Sequence, residues 1–408
     1  MPLADVRALG LGRLESHADG VTGVQVDSRL VTPGDLFVAV SGGEAFVEDA
    51  RARGAAGTLL PDDAHAALAA LGSAVRARSD ARVVAITGSV GKTSTKDILA
   101  ALLRPHLRTV AAPRGFNNEI GLPLTLCLIE PETEVVVTEM AMRGFGQIRE
   151  LARTARPGLG VITSIAPVHL EQMGSLENVS RAKAELLEEL PPGAVAVLPE
   201  SAPQLEPFVP DGLDVRRFRE PEAEVRDGRM HVLWRGRDVE FGFAARHQAV
   251  NAAAALTAAE ALGVEPPSEP VEVEFSLWRS QETELAGGGV LINDAWNANP
   301  VAMRAALAHL LERANGRRTV AILGEMAELG SEALRYHEEL AREAQGVDVV
   351  LGVGELARHY EPDEWAPTAP AAVEIALGLV RPGDTILVKG SRCVGLEVVA
   401  DALLGAGA

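Results

Sequence analysis

Lysine is almost missing from this chain of 408 residues. Of its 38 basic residues, 34 are arginines, and the four lysines are Lys92, Lys96, Lys183 and Lys389. Because arginine stands nearly everywhere else, these four are candidates for positions where a planar guanidinium cannot replace a compact amine. Chance survival is the alternative, and Lys96 is the residue to which it applies best.

Cysteine and positive charge are also scarce. Two cysteines cannot build a disulfide framework, and with no leader-like N-terminus they predict a reducing, cytoplasmic location. No apolar run approaches the roughly 20 residues that span a bilayer, which argues against stable membrane insertion. The net charge of −19 argues against a nucleic-acid partner. A chain that is 47% hydrophobic but only 4% aromatic is typical of parallel α/β proteins, and its length predicts two or three domains.

One short run has the composition of a phosphate-binding loop. An apolar stretch over 83–86 predicts a buried strand, and helical spacing of apolar residues follows from Thr93 to Leu103. Between them stand Thr87, Gly88, Ser89, Val90, Gly91, Lys92, Thr93 and Ser94. Glycines let backbone N–H groups surround an anion at a helix N-terminus, while Lys92 would reach the phosphates and Thr93 a Mg²⁺ ion. The run therefore predicts that the chain binds a nucleoside triphosphate.

The loop departs from the general pattern G-x-x-x-x-G-K-[ST] at one position. Ile86 stands where that pattern has its first glycine. An ordinary glycine turn before a core helix is the alternative interpretation.

Two further strands end in residues that can ligate a metal. The apolar run over 134–139 ends at Glu139, and His169 follows the run over 160–165. Since ligands bind at the carboxyl ends of parallel strands, both are expected near the phosphate loop. Mg²⁺ ligation is favoured over a purely structural role for the pair.

Lys183 lies on a helix predicted over 175–190. A neutral lysine amine reacts with CO₂ to form a carbamate, which supplies the oxygen ligands that Mg²⁺ prefers. A surface lysine paired with Glu185 or Glu188 is the alternative.

The two ends of the chain predict further α/β units. Near the N-terminus a strand runs into the polar turn Asp27, Ser28 and Arg29, which either binds an anionic ligand or is a plain turn. Near the C-terminus, the strand over 289–293 leads to Asp294, Asn297 and Asn299, and the strand over 385–388 leads to Lys389, Ser391 and Arg392.

Taken together, these runs resemble the Mur ligases, the ATP-dependent amide-forming enzymes of peptidoglycan precursor synthesis. Segments 117–123 and 297–300 are similar to the branch that adds D-alanyl-D-alanine to UDP-N-acetylmuramoyl-tripeptide. The segments that carry the resemblance are 87–95, 117–123, 138–140, 169–171, 181–185, 247–251, 294–300, 323–330 and 389–392.

The resemblance implies an α/β chain of three domains. These are a UDP-binding domain over 1–80, a central ATP-binding domain with a mostly parallel sheet over 81–277, and a Rossmann-like domain over 278–408 that binds the dipeptide. It also implies that Thr93 and Glu139 hold one Mg²⁺, and that His169 and carbamylated Lys183 hold a second. By the same resemblance, His247, Asn251, Asp294, Asn297 and Asn299 lie near the nucleotide. The substrate residues it implies are Asp27, Ser28, Arg29, Asn117, Asn118, Lys389, Ser391 and Arg392.

The implied reaction converts a peptide carboxylate to an acyl phosphate, which the amine of D-alanyl-D-alanine then attacks. Lys92 and two Mg²⁺ ions would offset the charge of the reacting anions, in a monomer whose domains close during catalysis. Two other functions stay open at this point. One is a sister Mur ligase or folylpolyglutamate-type ligase with another amine, and the other is a nucleotide-binding regulator without ligase activity.

Two segments differ from the family's pattern. Residues 41–45 are shorter than the family's stretch, which has an aromatic-Asp-Gly-His core. Trp278-Arg279 stands where the family usually has Gly-Arg at the last domain junction.

Overall fold

The computed structural model describes residues 1–16 and 18–406, and its strands form four sheets. We use the names N-terminal, central and C-terminal domain for residues 1–80, 81–277 and 278–408, the divisions expected from the sequence. Among the described helices, none has the length and apolarity that crossing a bilayer requires.

The N-terminal domain is a four-stranded sheet with the strand order β1-β4-β3-β2. Its β1 runs antiparallel to β4, whereas the other two pairings are parallel. After β2, the Asp27 carboxylate accepts a hydrogen bond from Arg29 N, and the chain forms a short 3₁₀ turn over Ser28–Leu30. The elements are α1 (Leu3–Ala8), β1 (Gly12–Ser16), β2 (Gly23–Gln25), β3 (Asp35–Val38), α2 (Val47–Ala52), β4 (Gly57–Pro61) and α3 (Ala64–Arg76).

The central domain is built on six parallel strands in the order β10-β9-β8-β5-β7-β6. Its strands are β5 (Arg82–Thr87), β6 (Thr109–Ala111), β7 (Val135–Glu139), β8 (Leu159–Ile162), β9 (Val195–Pro199) and β10 (Asp214–Phe218). Its helices are α4 (Lys92–Leu103), α5 (Gly121–Cys127), α6 (Gln147–Ala155), α7 (Leu170–Met173), α8 (Leu176–Glu188) and α9 (Gln248–Ala261). An antiparallel three-stranded sheet precedes α9, with β11 (Ala223–Arg226), β12 (Arg229–Trp234) and β13 (Arg237–Phe241).

Helices cover both faces of this parallel sheet. Helices α4 and α9 share one apolar core with β5, β7 and β8, and the small sheet packs on the same side. Helices α5, α6 and α8 fill the opposite face. Strands buried on both sides read as the continuous β-branched runs seen in the sequence. The carboxyl ends of β5, β7 and β8 consequently lie side by side, where ligands bind in such sheets.

The C-terminal domain has a second six-stranded sheet, in the order β14-β15-β19-β16-β17-β18. Its β14 is antiparallel and the other strands are parallel. Asp294 and Lys389 are register partners at the carboxyl ends of β15 and β19. The elements are β14 (Gln281–Glu284), β15 (Val290–Asp294), α10 (Pro300–Ala314), β16 (Thr319–Gly324), α11 (Ala333–Glu343), β17 (Val349–Val353), β18 (Glu364–Ala366), α12 (Ala369–Leu379), β19 (Thr385–Lys389) and α13 (Glu397–Ala406).

Candidate active site

The loop between β5 and α4 depends on glycine at two positions. Gly88 has φ +146° and Gly91 has φ +83°, and a Cβ on Gly88 would lie 2.0 Å from Thr163 Oγ1. Ile86, which replaces the first glycine of the general pattern, is a fully buried residue of β5. The loop therefore begins at Gly88 and leads directly into α4 at Lys92, which is the strand–loop–helix arrangement that binds phosphate.

The segment after β8 holds this loop in place, a role that was not predicted for it. Ser89 N donates to Ser164 O, and Val90 N donates to Ser164 Oγ, each over 2.9 Å. Thr163 Oγ1 donates to Val90 O over 2.6 Å. The available signal was a Thr-Ser pair at the end of the strand that pairs with β5.

Lys92 lies against its own loop. Its Nζ donates to Gly88 O over 2.8 Å and lies 3.4 Å from Ser89 O. Burial lowers the pKa of Lys92 to about 8, with Glu139 acting in the opposite direction. Withdrawal from water strengthens the interaction of this ammonium with any anion that enters the loop.

Glu139 is held by two neighbours at the carboxyl end of β7. Thr93 Oγ1 donates to its Oε2 over 2.9 Å, and Asn117 Nδ2 donates to its Oε1 over 2.8 Å. The residue is 4% exposed. The structure thus brings three of the predicted site residues into one hydrogen-bonded group beside the phosphate loop.

Lys183 is buried, so it is not the surface lysine that the alternative interpretation required. Only 1% of the residue is exposed, and Glu185 instead accepts hydrogen bonds from Gly146 N and Arg149 N. Within residues 1–16 and 18–406, no hydrogen bond or ion pair to Lys183 Nζ is formed. Burial, together with the charge of Lys92, lowers the pKa of Lys183 well below its usual value. A neutral amine is the form that reacts with CO₂.

His169 contacts the C-terminal domain. Its φ is +54°, and it directly precedes the short helix α7. Its Nδ1 is hydrogen-bonded to Glu328 Oε2. Glu328 also pairs with Arg143 at 3.4 Å and is a residue that the sequence analysis did not single out. This contact joins a predicted metal ligand of one domain to a carboxylate of another.

A buried ion pair of the C-terminal domain faces the phosphate loop across a cleft. Lys389 Nζ lies 2.5 Å from Asp294 Oδ2 and donates to Asn297 O over 2.9 Å. Asp294 Oδ1 in turn accepts from Ser280 N over 3.1 Å. Lys389, predicted to contact substrate, is thus in direct contact with Asp294 and Asn297, which were predicted to lie near the nucleotide.

The two asparagines near this pair have different local roles. Asn299 caps α10 by accepting a hydrogen bond from Ala302 N over 2.9 Å. Asn297 is exposed, and its side chain bonds only to Ala298 N within the described residues. Ser391 Oγ accepts from Ala327 N over 2.9 Å, so its hydroxyl links two loops of the C-terminal domain.

The start of α9 supplies the third side of the site. A Cβ on Gly91 would lie 2.2 Å from Asn251 Oδ1, so this amide lies directly against the phosphate loop. His247 has a buried Nδ1 without a hydrogen-bond partner in the described part of the chain. Burial and the neighbouring His309 lower the pKa of His247 to about 4.

The phosphate loop, the start of α9 and the Asp294–Lys389 pair border a cleft of about 200 Å³. The cleft lies between the central and C-terminal domains. Arg279, which was not predicted as a site residue, also lines it. Among the residues that line it are Ser89, Gly91, Lys92, Thr93, His247, Asn251, Arg279, Asp294, Asn297, Asn299 and Lys389.

Other predicted residues do not line this cleft. The Asp27 carboxylate pairs with Arg29 on the N-terminal domain, which lowers the pKa of Asp27 to about 2. Asn118 Oδ1 accepts from Gly121 N over 2.9 Å at the start of α5. Thr87 Oγ1 donates to Met140 O inside the sheet, and Arg392 pairs with Glu397.

Lys96 is buried and makes two polar contacts. It is 3% exposed, and its Nζ donates to Ala112 O and pairs with Asp97, each at 2.8 Å. Lys183 and Lys389 are each 1% exposed, so burial is a property that these lysines share.

No ready-made metal cluster is present in the described ranges. Across residues 1–16 and 18–406, three or more His, Cys, Asp or Glu side chains do not gather into a group that could hold a metal ion. A metal held by Glu139 or His169 would therefore need further ligands, such as the Thr93 hydroxyl, a modified lysine or oxygens of a bound molecule.

Two family models match separate parts of the chain. A model of the Mur ligase middle domain matches residues 86–259, and one described as Mur ligase, glutamate ligase domain matches residues 278–392. The UDP-N-acetylmuramoyl-tripeptide–D-alanyl-D-alanine ligase of Mycobacterium tuberculosis is 33% identical, and the alignment covers 94% of this chain and 92% of that protein. The enzyme of that name from Escherichia coli is 31% identical, with 96% of each chain covered.

A solved structure shows the same architecture. The MurF ligase of Thermotoga maritima, determined in complex with ADP, superimposes with a TM-score of 0.79 and 26% identity. The match covers 94% of this chain and 97% of that one. The α/β fold expected from the sequence, with its parallel central sheet and Rossmann-like C-terminal domain, is confirmed. The chain belongs to the Mur ligase family, in the branch of the UDP-N-acetylmuramoyl-tripeptide–D-alanyl-D-alanine ligases.

Proposed function

We propose that this chain joins D-alanyl-D-alanine to UDP-N-acetylmuramoyl-tripeptide, with ATP converted to ADP and phosphate and UDP-N-acetylmuramoyl-pentapeptide formed as the product. The observation that carries the proposal is the cleft in which Lys92 and Thr93 face Asp294 and Lys389 from another domain. Glu139 lies behind this surface, where it accepts a hydrogen bond from Thr93. The names of the similar ligases supply the substrates. The relatives named above are D-alanyl-D-alanine ligases, which favours this amine over those of sister ligases.

The nucleotide would lie with its phosphates in the loop from Thr87 to Ser94. Backbone N–H groups at the start of α4 and the Lys92 ammonium supply positive charge there. His247 and Asn251 would lie by the adenine, because both line the cleft beside Gly91. Asp294, Asn297 and Asn299 would approach from the C-terminal domain.

The residues beside the loop fit Mg²⁺. Thr93 and Glu139 offer a hydroxyl and a carboxylate 2.9 Å apart, and hard oxygen donors of this kind are the ligands that Mg²⁺ prefers. Bound Mg²⁺ would supply positive charge that offsets the repulsion between the reacting anions. Asn117 orients Glu139 through its other oxygen.

We place a second metal between His169 and a carbamylated Lys183. The buried amine of Lys183 has no partner in the described ranges, and burial lowers its pKa, which favours the neutral form that reacts with CO₂. His169 uses Nδ1 for Glu328, which fixes its ring and leaves Nε2 for a ligand.

The chemistry follows from the charges that the cleft brings together. The peptide carboxylate attacks the γ-phosphorus of ATP, the bond to the β-phosphate oxygen breaks, and ADP leaves with that electron pair. Lys92 stabilises the charge on the transferring phosphoryl group. The dipeptide amine then attacks the acyl carbon, loses a proton and expels phosphate, which leaves the amide.

The remaining predicted residues would contact the two peptide substrates. Asp27, Ser28 and Arg29 would meet the UDP portion, and Asn117 and Asn118 would lie along the path of the tripeptide. Lys389, Ser391 and Arg392 would border the dipeptide. We infer that a monomer suffices, since one chain supplies every wall of the cleft, and that the reaction takes place in the cytoplasm, which suits the two free cysteines.

Product analysis tests this proposal. The purified chain is incubated with ATP, MgCl₂, UDP-N-acetylmuramoyl-tripeptide and an equimolar mixture of D-alanyl-D-alanine, D-glutamate and L-lysine. The expected product has gained one D-alanyl-D-alanine by mass spectrometry. A product that has gained D-glutamate or L-lysine instead would assign the chain to another ligase activity.

A further inference from the structure

Two tryptophans and an arginine form a stack where the central and C-terminal domains meet. Arg114 Cζ lies 3.8 Å from the ring centroid of Trp278 and 4.3 Å from that of Trp296. The two indole centroids are 6.2 Å apart. Trp278 belongs to the connection between the domains, Trp296 follows β15, and Arg114 lies in the loop before α5. We call these three residues the Arg114 clasp.

The backbone shows that Trp278 occupies its position at a cost. Its φ is +62°, in the left-handed region that a bulky residue rarely adopts. Glycine, the residue usual in the family at this junction, takes that conformation without strain. The indole must therefore be stabilised by what its ring contacts, which are Arg114, Trp296 and, at 4.7 Å from its centroid, Arg392 Cζ.

The loop that carries Arg114 reaches all three domains within four residues. Phe116 packs against the apolar core of the N-terminal domain. Asn117 donates to Glu139 of the central domain, and Arg114 stacks on Trp296 of the C-terminal domain. Trp296 also lies 3.6 Å from the position that a Cβ on Gly115 would take, so its ring covers the loop backbone. A shift of this loop would move Asn117, and with it the orientation of Glu139.

A buried ion pair fixes both sides of the clasp. Lys96 Nζ donates to Ala112 O, two residues before Arg114. The adjacent Asp97 accepts a hydrogen bond from Ser276 N over 2.9 Å, two residues before Trp278. The loop and the connection are thus attached to the same turn of α4. The third part, Trp296, follows β15 of the C-terminal domain, and its backbone N donates to Trp278 O over 3.3 Å.

In the Arg114 clasp, repulsion between guanidinium groups opposes their attraction to the indole rings. Arg279 Cζ lies 5.9 Å from the Trp296 centroid, so three guanidinium groups surround the two indoles. Arg392 pairs with Glu397, whereas Arg114 and Arg279 have no carboxylate partner within the described residues. The indole faces supply the attraction that offsets this repulsion. Because attraction and repulsion partly cancel, we expect a contact that can form and release during turnover.

We propose that Arg114 is a positioning residue, which couples docking of the C-terminal domain to the placement of Asn117 and Glu139. When Trp296 stacks on Arg114, the loop is held in the position that presents Glu139 to the phosphate site. This inference rests on the proposed function in one respect: the kcat measured below is the kcat of the proposed ligation.

A double-mutant cycle tests the coupling. Arg114→Ala and Trp296→Leu should each lower kcat about tenfold, as expected for the loss of a cation–π stack, with the KM for ATP changed less than about twofold. The double variant should fall no further than either single variant, because one clasp is lost in all three. Multiplied losses in the double variant would overturn the proposal.

The chain offers a matched control. Arg358 Cζ stacks 3.4 Å from the Trp365 centroid within the C-terminal domain. Arg358→Ala removes a similar contact away from the junction and should leave kcat unchanged. A loss of kcat in this control equal to that of Arg114→Ala would show that any such stack acts through stability, and would contradict the proposal.

A second readout needs no amine substrate and so separates this inference from the proposed function. The chain has four tryptophans, and with Trp234→Phe and Trp365→Phe the emission reports on Trp278 and Trp296. MgATP should shift this emission, and Arg114→Ala should remove the shift. A shift that survives Arg114→Ala, or no shift in the parent, would overturn the coupling even if ligation is observed.

Discussion

Thr93 Oγ1 lies 2.9 Å from Glu139 Oε2, a contact that joins the first turn of α4 to the carboxyl end of β7. Thr93 and Glu139 are distant in sequence. The parallel order β8-β5-β7 places the end of β7 beside the end of β5, from which the phosphate loop leads into α4. The contact sets hydroxyl and carboxylate oxygens beside the phosphate loop, where Lys92 supplies the cation. The first prediction concerns that cation.

Lys92→Ala should lower kcat at least about 10²-fold, as is typical when a group that stabilises a developing charge is removed. The melting temperature should not fall, because Lys92 Nζ bonds only to carbonyls of its own loop in the described structure. Lys92→Arg keeps the charge without the compact amine and should also be impaired. A near-normal kcat in Lys92→Ala would refute the role of the loop.

Lys183→Arg should be inactive, because a guanidinium neither forms a carbamate nor ligates a metal. Lys183→Ala should also be inactive, and added short-chain carboxylic acids should partly restore turnover by supplying the missing oxygens. With ¹³C-labelled bicarbonate, the parent chain should show a carbamate carbon signal by NMR that both variants lack. Full activity of Lys183→Arg would rule out the carbamate.

Asn297→Ala and Asn299→Ala should separate nucleotide contact from helix capping. Asn297 is exposed, so its loss should raise the KM for ATP or lower kcat with little change in melting temperature. Asn299 caps α10, so Asn299→Ala should lower the free energy of unfolding by about 1 kcal/mol. Unfolding of the C-terminal domain in Asn297→Ala would contradict its assigned contact with the nucleotide.

His247 should contribute to acid sensitivity. Burial and His309 lower its pKa from 6.5 to about 4, with Lys389 acting in the same direction and Asp294 against it. Because the unfolded chain binds more protons between these pH values, the free energy of unfolding should fall as the pH falls from 6.5 to 4. The loss reaches at most about 3 kcal/mol.

Denaturant unfolding at several pH values measures this effect. His247→Asn should flatten the pH dependence between 6.5 and 4, whereas His65→Asn, at an exposed position of α3, should not. Equal slopes for the parent and His247→Asn would show that His247 does not titrate as inferred.

Much of the site follows from local sequence. The strand before Gly88, the helix after it and the strand ending at Glu139 are all local patterns, and parallel-sheet geometry brings their ends together. The scarcity of lysine pointed to Lys183 and Lys389, both of which are buried. Local patterns therefore located the side of the cleft that the central domain forms.

The contacts between distant segments could not be predicted in this way. Glu328 meets His169 only because two domains pack together, and no spacing along the chain encodes that contact. Arg114 is likewise an ordinary loop residue until Trp278 and Trp296 are placed beside it. Lys96 looked incidental because one of its two partners is a backbone carbonyl 16 residues away.

Phosphate release under substrate omission is the most direct measurement of the central claim. With ATP and MgCl₂ present, sustained release is predicted only when UDP-N-acetylmuramoyl-tripeptide and D-alanyl-D-alanine are both added, and omission of either should reduce it to background. Equal release without the dipeptide, or none with both substrates, would contradict the assignment of the cleft as the site of D-alanyl-D-alanine ligation.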